Sequence, residues 1–136
     1  MAATVLVDTS FLVALFSRRD PNHIWASGLL KRWAPPWHTC DAVLSETFHM
    51  IGSAGMPLLA EFLRDRGLTI NCTSDFGLDE VLTLMEKYAD VPMSFADACL
   101  VRMTEVSPDP TLLTTDTDFR LYRRHGRKAI PYVMPA

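Results

Sequence analysis

The chain has 136 residues, 49 % of them hydrophobic, and a net charge of −3. That length fits one domain, 1–136, with ample apolar content for a packed core. No run approaches the ~18 uncharged apolar residues of a membrane span, the N-terminus lacks the basic stretch and small-residue cleavage site of a secretory signal, and the acidic balance excludes binding nucleic acid through bulk charge alone.

Helices and strands alternate along the chain. Val5-Leu6-Val7 is a short apolar strand. Ser10 is placed to cap a helix whose Phe11, Leu12, Leu15 and Phe16 fall at helical spacing. Asp20-Pro21-Asn22 breaks that helix, and a second one, expected over 23–33, stops before Pro35 and Pro36. A candidate strand covers 37–40. Asp41 then caps a helix that carries Glu46 toward Gly52. Helix 56–66 ends at Gly67, and 68–72 alternates like a strand. Helices follow over 76–88 and 95–105. A strand over 111–114, a short helix over 119–124 and a last strand over 130–133 complete the series. Pro131 puts that last strand at a sheet edge.

This β-α-β-α order predicts an α/β fold with a mostly parallel sheet and helices on both faces. The three cysteines, Cys40, Cys72 and Cys99, are scattered and form no CxxC pair. They fit small core hydrophobes in a reducing cytoplasm better than a disulfide framework or a thiolate zinc site. Basic residues concentrate in two places, Arg18–Arg19 and the stretch holding Arg120, Arg123, Arg124, Arg127 and Lys128.

Four isolated carboxylates carry the chemistry. Asp8, Glu46, Asp97 and Asp116 each sit at the edge of an apolar run. Such placement invites partial burial, and an unpaired buried charge is costly. In an open α/β sheet, ligands bind outside the carboxyl ends of the strands. Asp8 and Asp116 each follow a strand, so both belong on that rim, and Glu46 and Asp97 can project toward it from helices. Gathered there, the acids repel one another, and one or more is expected to titrate above the ordinary carboxylate range. A hard divalent cation, Mg²⁺ or Mn²⁺, relieves both costs and prefers oxygen ligands. Phosphodiester hydrolysis needs what such ions supply, an activated water and compensation for charge on the phosphoryl oxygens. The four histidines show no zinc-ligand spacing.

Four motifs carry a family resemblance: Val7-Asp8-Thr9-Ser10, Leu44-Ser45-Glu46, Pro92-Met93-Ser94-Phe95-Ala96-Asp97-Ala98 and Leu113-Thr114-Thr115-Asp116-Thr117-Asp118-Phe119. In this order, and spanning nearly the whole chain, they resemble the PIN-domain family, in particular the VapC-type toxins of bacterial toxin–antitoxin pairs. The resemblance implies a Rossmann-like three-layer sandwich and a Mg²⁺- or Mn²⁺-dependent endoribonuclease. It implies that Asp8, Glu46, Asp97 and Asp116 form the acidic tetrad, with Asp118 as a further metal-binding acid. Thr9 or Ser10, Ser94 and Thr115 then stand where they can orient the carboxylates. Arg18, Arg19, Arg120, Arg123 and Arg124 become candidates for holding RNA phosphates. It also implies a homodimer and a small antitoxin partner. The apolar residues after Glu46, namely Phe48, Met50, Ile51, Met56, Leu58, Leu59 and Phe62, are expected to divide between core and partner surface. An antitoxin segment bound there as a helix is expected to place a basic side chain at the acids.

Two other classes remain open. A phosphotransferase of the haloacid-dehalogenase type also begins with an Asp after a strand. It usually wants a second Asp two residues on, where this chain has Ser10, and a Lys that is missing between Asp97 and Asp116. A non-catalytic module that keeps the fold and binds RNA or protein is the second.

Overall fold

The computed structural model describes residues 3–136. Met1 and Ala2, part of the expected 1–136 span, lie outside the described residues. The chain runs β1 (Thr4–Val7), α1 (Thr9–Phe16), α2 (His23–Gly28), β2 (Trp37–Cys40), α3 (Asp41–Met50), α4 (Gly52–Arg64), β3 (Leu68–Asn71), α5 (Thr73–Phe76), α6 (Leu78–Lys87), α7 (Phe95–Val106), β4 (Pro110–Leu113), β5 (Arg123–Arg124), β6 (Lys128–Ala129) and β7 (Tyr132–Val133). Single 3₁₀ turns cover Leu29–Lys31 and Thr117–Arg120.

Five strands form one parallel sheet in the order β3-β2-β1-β4-β7. The chain builds outward from β1 to β3 on one side, then crosses to β4 and β7 on the other. The order therefore reverses between β1 and β4, which pair in register from Thr4↔Pro110 to Val7↔Leu113. Beyond the carboxyl ends of those two strands lies the crevice where open α/β sheets bind ligands. As expected, the fold is α/β with a mostly parallel sheet flanked by helices.

The sheet is held by apolar residues buried on both faces. Leu6, Val7, Leu112 and Leu113 are fully buried, as are Phe11 and Leu12 of α1 and Val101 of α7. Phe11 meets Trp37 and Trp25 edge to face, with ring centroids at 5.2 and 5.9 Å. This aromatic group fixes α1 behind the sheet, and so fixes Asp8 at its head.

Several local expectations are corrected. Asp8 rather than Ser10 caps α1, its side chain accepting the Phe11 N–H. Cys40 occupies the N-cap position of α3, and Asp41 lies in the first turn, where its charge suits the helix dipole. The helix expected over 23–33 stops at Gly28 and continues only as a 3₁₀ turn. The helix expected from 56 starts at Gly52 and holds Pro57 inside it, where one backbone hydrogen bond is lost. The helix expected over 76–88 forms as Leu78–Lys87, and Phe76 instead ends the short helix before it. Gly77, at φ 103°, separates the two, and a side chain there would displace the Glu80 carboxylate. Residues 119–124 are not a helix either. After the turn Thr117–Arg120, Arg123 enters a two-stranded hairpin whose bend uses positive φ at His125 and Gly126. The strand expected over 130–133 is Tyr132–Val133, at the sheet edge beside β4.

Cys40 and Cys99 are buried and Cys72 is exposed. Of the apolar residues after Glu46, Ile51 and Leu59 belong to the core, whereas Met50, Met56 and Leu58 are exposed. Among the described residues, no helix is long and apolar enough to cross a membrane.

Candidate active site and metal centre

Three of the five candidate acids are fixed by the ends of the elements they begin. Asp8 leaves β1 and caps α1. Its Oδ1 accepts from the Phe11 N–H at 3.0 Å and from the Ser10 hydroxyl at 2.6 Å. Its Oδ2 accepts from the Thr114 hydroxyl at 2.5 Å. Asp116 leaves β4 and caps the 3₁₀ turn, its Oδ1 accepting the Asp118 N–H at 2.9 Å. Asp97 lies in the first turn of α7, whose cap is Ser94; the Asp97 N–H donates to Ser94 Oγ at 3.0 Å. Capping is thus a role Asp8 and Asp116 fill in addition to facing the crevice. It costs the site little, because a carboxylate has about four acceptor positions.

The crevice is a pocket of about 200 Å³ lined by Asp8, Glu46, Asp97 and Asp116, with Thr9 and Ser10 on one wall and Val43, Ala96 and Leu100 among its apolar walls. Glu46 reaches it from α3, and Thr9 Oγ1 donates to Glu46 Oε2 at 3.1 Å. Asp118 lies beside this set. One carboxylate oxygen from each of Asp97, Asp116 and Asp118 falls within 4.8 Å of the other two.

The acids feel their surroundings. Asp8, only 5 % exposed, titrates at about 6. Burial is the leading cause. Hydrogen bonds from Ser10, Thr114 and the Phe11 N–H oppose it, and the Asp116 charge adds to it. Asp97 is also raised, first by burial and then by the charges of Asp116 and Glu46, against the opposing Tyr122 hydroxyl. Repulsion within the cluster is present, but desolvation leads it at both sites.

The donor set fits a hard divalent cation. It consists of carboxylate oxygens, and the pocket lining among the described residues includes no His or Cys. Ligands of an octahedral Mg²⁺ stand about 3 to 4 Å from one another, and the 4.8 Å limit on the Asp97, Asp116 and Asp118 oxygens is close to that spacing. A family model described as PIN domain matches residues 5–124.

The chain belongs to the PIN domain family.

Among solved structures, this PIN domain is similar to VapC20 of Mycobacterium tuberculosis, described as a toxin that cleaves the sarcin–ricin loop. The TM-score is 0.68 at 22 % identity, over 85 % of this chain and 92 % of that one. At that identity the likeness is one of fold. No curated protein sequence matches the chain.

The PIN domain's other candidate residues separate. Ser10 bonds Asp8, Thr9 bonds Glu46 and Ser94 caps α7. Thr115 contributes its backbone N–H, which donates to Ser10 Oγ at 2.9 Å. Arg18, Arg19 and Arg120 are exposed. Arg123 donates to the carbonyls of Arg120 and Tyr122, and Arg124 to that of Thr104, so both guanidinium groups already serve the fold. Two side chains escaped the sequence reading. Thr114 bonds Asp8, and Tyr122 donates to Asp97 Oδ2 at 2.9 Å. Thr114 had a signal, because it ends a strand next to Thr115. Tyr122 has none, because the local pattern points to a helix where the chain forms a 3₁₀ turn and a hairpin.

A second concavity, about 460 Å³, lies elsewhere on the PIN domain. Leu15, Phe16, Leu30, Leu58 and Phe62 give it an apolar lining, with Arg18 on its border.

Proposed function

We propose that this PIN domain is a divalent-metal-dependent endoribonuclease acting in the cytoplasm, the toxin of a VapBC-type toxin–antitoxin pair. The observation that carries the reading is the gathering of Asp8, Glu46, Asp97 and Asp116 around one small pocket beyond the carboxyl ends of β1 and β4. Asp118 extends the set on one side. Acids with raised pKa in a cleft are candidates for functional sites, and Asp8 and Asp97 are two such acids here.

Asp97, Asp116 and Asp118 are the residues that would hold Mg²⁺ or Mn²⁺, with Asp8 and Glu46 lining the same pocket as Asp97 and Asp116. When bound, such an ion would supply an activated water and charge compensation at the phosphoryl group. The chain's own residues set the stage for that. Asp8 is fixed from both oxygens, so it offers a stationary negative wall. Glu46, exposed and held at only one oxygen by Thr9, is suited to take a proton from a water entering the pocket. Val43, Ala96 and Leu100 keep part of the wall dry, which strengthens every charge interaction inside.

The RNA backbone is the substrate class that fits this chemistry. Arg120, Arg18 and Arg19 are the phosphate-holding candidates with exposed side chains. Arg123 and Arg124 take part through the hairpin they stiffen. The apolar concavity bordered by Arg18, together with exposed Met50, Met56 and Leu58, suits an antitoxin helix and a second copy of the chain. Supporting this reading are the PIN family membership and the fold shared with a protein whose description is that of an RNA-cleaving toxin.

Incubation of total RNA with the purified protein, with and without Mg²⁺, tests the activity. Discrete fragments are expected from the native chain and none from Asp97→Asn. Co-expression with the product of the adjacent reading frame tests the pairing: a stable complex that suppresses cleavage is expected. RNA retained on the protein but never cut would favour a non-catalytic binding module.

A further inference from the structure

Tyr122 is fully buried, yet it carries a hydroxyl. A buried phenol needs a partner, and the one it has is an acid of the candidate site: its hydroxyl donates to Asp97 Oδ2 at 2.9 Å. The ring that delivers this hydroxyl is clamped. Tyr88 meets it edge-on with centroids 5.2 Å apart, and Phe119 does so at 5.3 Å. The next backbone N–H, that of Arg123, donates to the Tyr88 hydroxyl at 2.9 Å. The chain before it is held as well, because the Tyr122 N–H bonds the Asp118 carbonyl. Phenol, backbone and neighbouring rings therefore leave the hydroxyl one position, directly against Asp97.

We propose that Tyr122 is a positioning residue for Asp97: its hydroxyl fixes the rotation of the Asp97 carboxylate so that this group meets Asp116 and Asp118 in an arrangement ready for a divalent cation. The inference rests on the metal-binding reading of the site. Without the hydroxyl, the Asp97 carboxylate keeps only Ser94 as a hydrogen-bonding side chain, and part of the cation's binding is spent on fixing it. Outer partners of this kind are typically worth about 10- to 100-fold in metal affinity. Because Tyr122 also contacts the turn that carries Asp118, it ties two of the three acids to one aromatic anchor.

The test is a calorimetric titration of the full chain with Mn²⁺, comparing native protein, Tyr122→Phe and Tyr132→Phe. Tyr122→Phe keeps the ring and removes only the hydroxyl. Tyr132→Phe removes a phenol hydroxyl from an exposed side chain of β7, outside the cluster that holds Tyr122. The expected result is Mn²⁺ affinity reduced about 10- to 100-fold in Tyr122→Phe, and unchanged in Tyr132→Phe, with both variants folded by circular dichroism. Native affinity in Tyr122→Phe, or an equal loss in Tyr132→Phe, overturns the proposal. If Tyr122→Phe does not fold, Mg²⁺ titration of the native protein decides by the NMR signals of the Tyr122 ring. A shift that saturates with the metal supports the proposal, and an unmoved signal overturns it. A native chain that binds no Mn²⁺ instead refutes the metal-binding reading itself, so the two failures are distinguishable.

Discussion

Thr114 Oγ1 stands 2.5 Å from Asp8 Oδ2 and donates to it. The same hydroxyl accepts the Asp116 N–H at 2.9 Å. One small side chain at the end of β4 thus links the acid after β1 to the acid after β4, across the point where strand order reverses. Thr114→Val keeps the shape and removes the link. A buried hydrogen bond to a charged group is worth about 1.5–3 kcal/mol, so urea unfolding at pH 7 is expected to show a loss of about 2 kcal/mol. NMR titration of the variant is expected to place the Asp8 pKa above its native value of about 6.

Asp8 also sets a pH dependence. Its pKa rises from 3.8 to about 6 on folding, so between those values the folded chain holds more protons than the unfolded one. Stability from this group is therefore highest below the unfolded value and falls as pH rises toward 6. A shift of this size corresponds to a penalty on the order of 3 kcal/mol at pH 7. Asp8→Asn keeps an oxygen able to cap α1 and carries no charge. Thermal melts of the metal-free variant are expected to be higher than native at pH 7 and flatter between pH 4 and 6. A steeper native-like slope in the variant would assign the dependence to another group.

Metal addition should oppose that penalty. Mn²⁺ at about 100 times its dissociation constant stabilises a folded protein by about 2.7 kcal/mol. The melting temperature of the native chain is expected to rise with Mn²⁺, and that of Asp116→Asn to rise much less. Equal shifts in the two proteins would move the ion away from the acid pocket.

The basic residues separate into two groups with different outcomes. Arg124 donates to the Thr104 carbonyl, and its Nε is buried. Arg124→Ala is expected to destabilise the fold by about 1–3 kcal/mol. Arg120 is exposed, and Arg120→Glu is expected to leave stability within about 0.5 kcal/mol. Fluorescence anisotropy with a labelled RNA is expected to show weaker binding for Arg120→Glu and a shallower dependence on salt, as for the loss of a phosphate contact.

The sheet and its rim were legible because their signals are local. An apolar run followed by an acid and a helical period locates Asp8 and Asp116 without tertiary knowledge. Helix ends were less legible. Asp8 and Ser10 are both good caps, and only the actual bonds assign the cap to Asp8. Residues 119–124 misled because Phe119, Tyr122 and Arg123 suit a helix, whereas the Asp116 cap and the His125–Gly126 bend turn the chain into a 3₁₀ turn and a hairpin. That change is what brings Tyr122 to Asp97, a contact between residues 25 positions apart that no local pattern encodes. The raised pKa values were expected from crowding, but burial leads them, and burial depends on packing from several elements at once.

The measurement that bears most directly on the central claim is cleavage of a defined single-stranded RNA by protein stripped with EDTA and then titrated with Mg²⁺, with Asp97→Asn and Asp116→Asn in parallel. The account predicts no cleavage without metal, restoration as Mg²⁺ is added, and at least a hundredfold loss of rate (~3 kcal/mol in the barrier) in both variants. Cleavage that persists in EDTA, or that survives in both variants, would contradict it.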